Sequence, residues 1–463
     1  MHLRILLDQA VHDHRNAGNN ALLLAALKRL RYFWPEAKFE VISIAPHLCR
    51  LLLPGTYPVS PDNIGGTVAA PGRFQQLMPR QVWSLLLESR EIIRNRTGMT
   101  VSAGQLHSLL SSLLKQGAKQ ATQSDAMKST LSASPDHYDS ITAENTSRYA
   151  GLAAYHLYVA SGGGYLCDDD KRFLIPVFDR LAVAVANGVP TVMVSQGVGP
   201  LDDPELVARA KQVLPFVDFI MIREERVARP ILDAIGVPRD KVLMTGDDAI
   251  ELAYSVHKKE LGRGIGLSLR IAHYTAVDEE HVNRIRPVLH RVANRFSAEL
   301  VAAPIDVNEA DMIYVETVMK GYSKVSKNWR KYEFPEDIIR RVGRCRVMVS
   351  GTFHGAVFAL GQGIPVVALS KSAYQTIKAA GLAAEFGESG CQVIDVSDVN
   401  LEKRLEEALN FAWSSAADLR PHLMRNAKRQ IDLGNDAYTK ILDLVEGNLQ
   451  TSASGASDRQ RRR

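Results

Sequence analysis

The sequence predicts an α/β protein of two sequential, doubly wound, Rossmann-like domains, with a helical and loop insertion in the first. Three observations point there. Short apolar runs alternate with longer amphipathic stretches along most of the chain. Glycine or a polar residue directly follows most of the short runs. The pattern breaks at about residue 71 and resumes after 149; a second series starts beyond a charged, glycine-bearing stretch at His257 to Gly264. A length of 463 residues suits two domains of ordinary size.

The elements justify themselves in order. Leu3 to Leu7 is an apolar strand, Ala21 to Phe33 a helix closed by Pro35, and Phe39 to Ile44 the next strand. Between Pro71 and Tyr149 the spacing predicts helices at Val82 to Ile93 and Gln105 to Gln116. A polar, mobile loop is expected over Gln120 to Ser147. Leu157 to Ala160 is a strand, with Ser161-Gly162-Gly163-Gly164 after it. Helix Phe173 to Ala186, strand Thr191 to Ser195, helix Pro204 to Leu214, strand Phe219 to Ile222, helix Glu225 to Ile235 and strand Val242 to Met244 follow. The second domain reads as strand Gly264 to Leu269, helix Asp278 to Ser297, strand Glu299 to Pro304, strand Val347 to Ser350, helix Ala356 to Gln362 and strand Pro365 to Leu369. Helices Leu401 to Trp413 and Asp418 to Leu444 come last. The expected domains are 1–256, with the insertion at about 71–149, then 257–415, helices over 416–448, and a disordered tail over 449–463.

Composition narrows the function. Hydrophobic residues at 46% and charged residues at 23% describe a globular chain, and no apolar run reaches membrane-spanning length. The four cysteines, Cys49, Cys167, Cys345 and Cys391, form no C-x-x-C pair, which argues against a zinc ribbon or a disulfide scaffold. The net charge is +5, and the last fifteen residues supply +3 of it (four arginines, one aspartate), so bulk charge gives no support to nucleic-acid binding. The N-terminus lacks the pattern of a secretory signal. The expected location is the cytoplasm. Any peripheral contact through the arginine tail would be at the inner face of the membrane.

Two such domains place a ligand between them, at the carboxyl ends of the strands. Gly162, Gly163 and Gly164 allow close backbone approach to an anion, or simply a tight turn. The run is neither a Walker loop nor G-x-G-x-x-G. Asp168, in Asp168-Asp169-Asp170, reads as a solvated helix start or an acceptor-sugar ligand. Arg223 and Arg270 each end a strand and suit a carboxylate or phosphate; surface ion pairing is the plainer reading. His354, between a buried strand and a short helix, can serve as general acid or base. Lys371 and Lys378 are candidate phosphate partners or surface lysines. His12-Asp13-His14 is a poor metal site, and no metal ligand set is assigned.

The string Val349-Ser-Gly-Thr-Phe-His-Gly-Ala-Val-Phe-Ala-Leu-Gly-Gln-Gly-Ile-Pro-Val-Val367 resembles the C-terminal motif of the polysaccharide pyruvyl transferase family. Further matches fall in order: Gly18-Asn19, Ser161 to Gly164, Gln196 to Pro200, Arg223-Glu224 with Gly236-Val237, Gly246-Asp247, Gly264 to Arg270, and Tyr374 to Lys378. Thr352 stands where the family commonly has arginine, and Val227 where it usually has serine.

The resemblance implies a GT-B-like pair of domains. It also implies transfer of pyruvate from phosphoenolpyruvate, the donor substrate, to a sugar diol as a ketal, with no cofactor. The implied catalytic set is His354, Arg270 and Arg223. Gly162, Gly163, Gly164, Lys378, Lys371 and Thr352 would meet the donor, and Asp168 and Gln196 the acceptor. The expected partners are therefore phosphoenolpyruvate and a sugar or polysaccharide precursor. Two alternatives remain open: a GT-B glycosyltransferase using a nucleotide sugar, and a catalytically silent binding protein. Against the first, Phe358 occupies the place where many such enzymes carry a ribose-binding glutamate.

Overall fold

The computed structural model describes residues 3–64, 143–270, 279–306, 309–329 and 333–461. The helices expected at Val82 to Ile93 and Gln105 to Gln116 lie outside the described residues. So does the polar loop up to residue 142. From 143 that stretch forms a short helix, α3 below.

The N-terminal domain contains β1 (Arg4–Asp8), α1 (Ala17–Phe33), β2 (Lys38–Ile42), α2 (Pro46–Leu52), β3 (Tyr57–Val59), α3 (Ala143–Arg148), β4 (Leu157–Ala160), β5 (Gly163–Leu166), α4 (Lys171–Ala186), β6 (Thr191–Val198), α5 (Pro204–Val213), β7 (Phe219–Ile222), α6 (Ala228–Ile235), β8 (Val242–Met244) and α7 (Ala249–Ser255). Its sheet runs β3-β2-β1-β4-β6-β7-β8, with β5 beside β6 and every pair parallel. The strand order reverses between β1 and β4, which opens a crevice at their carboxyl ends. Both faces are covered, so the strands are nearly continuous apolar runs, as in the fully buried Leu157–Ala160.

The C-terminal domain contains β9 (Gly264–Ser268), α8 (Glu279–Arg295), β10 (Glu299–Ala302), α9 (Glu309–Met319), α10 (Pro335–Val342), β11 (Cys345–Ser350), α11 (Phe353–Leu360), β12 (Val366–Ser370), α12 (Ala373–Phe386), β13 (Cys391–Asp395) and α13 (Leu401–Arg461). Its sheet is parallel, in the order β10-β9-β11-β12-β13.

Two expectations about the C-terminus need correction. The two late helices are one, and it extends to Arg461 through most of the tail read as disordered. The Ser414 to Ala417 stretch looks like a break in sequence. Ala412 and Ala416 are nevertheless both fully buried, so the packed stripe passes through it. Pro421 removes one backbone donor without ending the helix.

This helix ties the two domains together. Leu405 and Leu409 join the core of the C-terminal sheet. Leu423 and Ala427 join a cluster that contains α11 and Ala249 and Ile250 of α7. Tyr438 and Ile441 then enter the N-terminal core beside β1 and α1. A second tie lies at the start of α1. The Asn16 side chain caps that helix by accepting from the Asn19 amide at 3.1 Å. The Ala17 amide donates to the Ile305 carbonyl at 2.8 Å, so the start of α1 lies against the C-terminal domain.

Candidate active site

A cavity of about 410 Å³ lies where the carboxyl ends of the two sheets meet. Asp13 and Asn16 reach it from the loop after β1, Gly164 from β5 and Arg223 from the end of β7. The other wall brings Arg270 from the end of β9, Thr352 and His354 from the β11–α11 turn, and Tyr374 and Lys378 from α12.

The turn after β11 explains the spacing of its residues. Thr352 caps α11: its Oγ1 accepts the Gly355 amide at 3.2 Å and shares a hydrogen bond of 2.6 Å with Ser268 Oγ. The Ser350 hydroxyl donates to the Thr352 carbonyl at 2.7 Å. A Cβ on Gly355 would lie 2.6 Å from Ser350 Oγ, so only glycine lets the helix start pack on the strand ends. These contacts fix His354 in the first turn of α11. Thr352 thus acts through the cap, while its position also lines the cavity.

His354 is almost fully buried, and its Nε2 has no hydrogen-bond partner. The nearest carboxylate oxygen, Asp247 Oδ2, is 3.7 Å away. Burial, reinforced by Arg223, Lys378 and Arg270, holds the imidazole well below its ordinary pKa. This favours the neutral imidazole.

The cations are held in set directions. Arg223 Nη1 donates to Asp247 Oδ2 at 3.0 Å, and its guanidinium lies 4.2 Å from the centre of the Phe353 ring. A Cβ on Gly197 would come within 2.1 Å of Arg223 Nη2, so this glycine makes room for the arginine. Arg270 is gripped by buried Asp311, with Nε to Oδ1 at 3.0 Å and Nη2 to Oδ2 at 2.8 Å. Its Nη2 also lies 3.4 Å from Asp306. Lys378 Nζ sits 3.5 Å from the Tyr374 ring centre, and the Tyr374 hydroxyl donates to the Gly164 carbonyl at 3.0 Å.

Of the residues singled out from sequence, His354, Arg223, Arg270, Lys378, Thr352 and Gly164 line this one cavity. The others are placed elsewhere. Gln196 is fully buried and donates to the Ala160 carbonyl and the Tyr165 hydroxyl, each at 3.0 Å, so it braces strands instead of meeting an acceptor. Asp168 accepts from the Asp202 and Asp203 amides at 2.9 and 3.0 Å and organises the loop before α5.

The glycine run leads into β5, which pairs with β6 beyond the end of β4. A Cβ on Gly162 would meet the Ser195 carbonyl at 2.5 Å, and Gly163 packs on Tyr165, so these two serve strand packing. Lys371 lies outside the lining, where its amide donates to Gln375 Oε1 at 3.1 Å. His12 pairs with Asp8 at 3.0 Å, and His14 Nε2 with Ser43 Oγ at 3.0 Å. Among the described residues no three His, Cys, Asp or Glu side chains are grouped to hold a metal ion.

Asp247 and Tyr374 stand in the matched motifs but were given no role from sequence, and Asp306 and Asn16 were not singled out at all. Asp247 carried a usable signal, because it is a polar residue placed just after a strand. Asp311 carried none, since it lies within a helix.

Two parallel-sheet domains with a cavity between their carboxyl ends define a GT-B-type architecture. The chain belongs to the polysaccharide pyruvyl transferase family, whose model matches residues 16–372, most of its length. It is therefore a transferase of the class that pyruvylates polysaccharides. No curated protein matches it.

Among solved structures it resembles a Listeria monocytogenes protein assigned as a UDP-N-acetylglucosamine 2-epimerase. The TM-score is 0.54 and the identity 11%, over 96% of this chain and 98% of that one. It also resembles the S. aureus MnaA–UDP co-structure, with TM-score 0.52 and 12% identity over 96% and 97% of the two chains. These likenesses establish the fold alone. Among the described residues no helix is long and apolar enough to cross a membrane.

Proposed function

We propose that the cavity binds phosphoenolpyruvate and transfers its pyruvyl group to a sugar diol, forming a ketal. One observation carries the reading: Arg223, Arg270 and Lys378, drawn from both domains, converge on the cavity that holds His354. A small donor with a carboxylate and a phosphate needs fixed cations, and guanidinium suits both groups through its planar fork. Arg270 and Arg223 would hold the carboxylate and phosphate, with Lys378 assisting phosphate departure.

The chemistry needs one acid. The donor methylene must gain a proton to become a methyl group, which leaves C2 electron-poor. One acceptor hydroxyl then adds to C2, the C2–O bond to phosphate breaks with its electron pair, and the second hydroxyl closes the ketal. The diol loses two protons; one ends on the methyl carbon and the other on phosphate. His354 would deliver and recover the proton. A polyanionic donor offsets the surrounding cations that now depress the imidazole pKa, so donor binding itself would arm the acid. The remaining catalysis is positioning and charge stabilisation.

The nucleotide-sugar alternative draws less support. Phe358, at the position of the ribose-binding glutamate, is fully buried in the core. The test is phosphate release from phosphoenolpyruvate with a panel of simple glycosides, followed by the new methyl resonance of the ketal. Sugar-dependent release that falls sharply in His354→Ala to a low residual rate, with the fold intact, is the expected result. Consumption of a nucleotide sugar with no phosphoenolpyruvate turnover would overturn the proposal.

A further inference from the structure

We infer that Asp247 is a positioning residue for His354, forming with it an aspartate–histidine dyad that spans the two domains. The inference deepens the pyruvyl-transfer reading and rests on it. Asp247 lies just after β8 of the N-terminal domain, whereas His354 opens α11 of the other. It does not line the cavity, so it acts through the imidazole and not on substrate.

Its two oxygens have separate duties. Oδ1 accepts the Ala249 amide at 2.9 Å, which fixes the carboxylate at the start of α7. Oδ2 is shared, with Arg223 Nη1 at 3.0 Å and His354 Nε2 at 3.7 Å. Nε2 is the ring nitrogen that is buried without a hydrogen-bond partner, and a shift of under about 1 Å would bring it into hydrogen-bond reach. A proton on Nε2 directed at Asp247 leaves Nδ1, on the side of Gly18, as the nitrogen that exchanges a proton with substrate.

The groups facing the ring from the surrounding elements are Arg223 after β7, Asp247 after β8, Arg270 after β9 and Lys378 in α12. Asp247 is the sole carboxylate among these four. Once the donor engages Arg223, Oδ2 is released to hold the imidazolium.

The carboxylate is also braced from behind. Gly246 adopts φ +77°, and a Cβ there would meet Gln430 Oε1 of α13 at 2.1 Å. Next to it, buried Asp248 accepts from the Tyr438 hydroxyl of α13 at 2.8 Å and from Arg29 Nη1 of α1 at 2.5 Å. The loop is therefore clamped on both sides of Asp247.

The experiment is a double-mutant cycle on the full chain, with phosphoenolpyruvate turnover and donor Kd as readouts. Asp247→Asn should lower kcat about 10- to 100-fold at saturating donor; because Asp247 also holds Arg223, the donor Kd is read separately. In a His354→Ala background the same substitution should cost less than about twofold, because its effect passes through the histidine. Asp247→Glu keeps the charge and should recover part of kcat; it also serves if the asparagine variant does not fold. The 15N spectrum of donor-free wild type should show the Nε2–H tautomer of His354.

Equal losses with and without His354, a wild-type kcat in Asp247→Asn, or an Nδ1–H tautomer would overturn the assignment. If wild type does not turn over phosphoenolpyruvate, the functional reading itself fails, and the two failures are told apart by that first measurement.

Discussion

Gly18→Ala is the sharpest structural probe of the site. Gly18 lies in the first turn of α1, and a Cβ there would stand 2.1 Å from Nδ1, 2.3 Å from Cγ and 2.7 Å from Cβ of His354. All three contacts are far inside van der Waals separation, and the ring is closed in by its surroundings. The histidine must therefore move by about 1 Å or the start of α1 must withdraw.

Helix propensity works the other way, since alanine in a helix gains about 0.5–1 kcal/mol over glycine. Overpacking a tight contact costs about 1–3 kcal/mol, so the net stability change is modest. Catalysis is far more sensitive. A misplacement of about 1 Å costs about 100-fold in rate, or about 2.7 kcal/mol of transition-state stabilisation. The assay is phosphate release under saturating donor, with thermal unfolding as the control. A Gly18→Ala enzyme of wild-type rate and stability would refute the placement of His354 against α1.

Three more outcomes follow from the geometry. Asp311→Asn loosens the two-point grip on Arg270 and should weaken phosphoenolpyruvate binding about tenfold by calorimetry; an unchanged Kd contradicts it. Burial lowers the pKa of His14 to about 4, so the folded state binds fewer protons than the unfolded state between about pH 4 and 6.5. Its contribution is complete above about pH 6.5 and about 3 kcal/mol is lost as pH falls to about 4. His14→Asn, which tolerates the left-handed φ of 57°, should flatten that slope in urea unfolding, and an unaltered slope counts against it. Tyr438→Phe removes a hydrogen bond to buried Asp248 and should lower the unfolding free energy by about 1.5–3 kcal/mol; an unmoved urea midpoint would contradict that role.

Much of the fold was legible because buried parallel strands are short apolar runs bounded by glycine and polar residues. Strands Leu157–Ala160, Phe219–Ile222 and Val242–Met244 coincide with the apolar runs read from sequence. Helices α7 and α10 were missed because each is brief, and α9 because it is apolar over much of its circumference, which weakens the periodic signal. The length of α13 was hidden because its continuity depends on surfaces from both domains.

At the site, reading the polar residues after strands picks out His354, Arg223 and Arg270, which line the cavity. The same reading misplaced Gln196 and Asp168, whose polar atoms serve neighbouring strands and loops. Pairings such as Arg270 with Asp311 span elements that no local pattern connects. Gly197 and Gly18 stood in recognised motifs, yet their reason is tertiary: each clears space for one cavity side chain.

The cationic cavity that Arg223, Arg270 and Lys378 line is the proposed phosphoenolpyruvate site. Calorimetry of phosphoenolpyruvate against wild type and Arg270→Ala tests it most directly, with a panel of nucleotide sugars alongside. Binding to wild type and a loss of about 30-fold or more in the variant are expected, as when one partner of a charge-assisted pair is removed. Binding of a nucleotide sugar with no detectable phosphoenolpyruvate binding would contradict it.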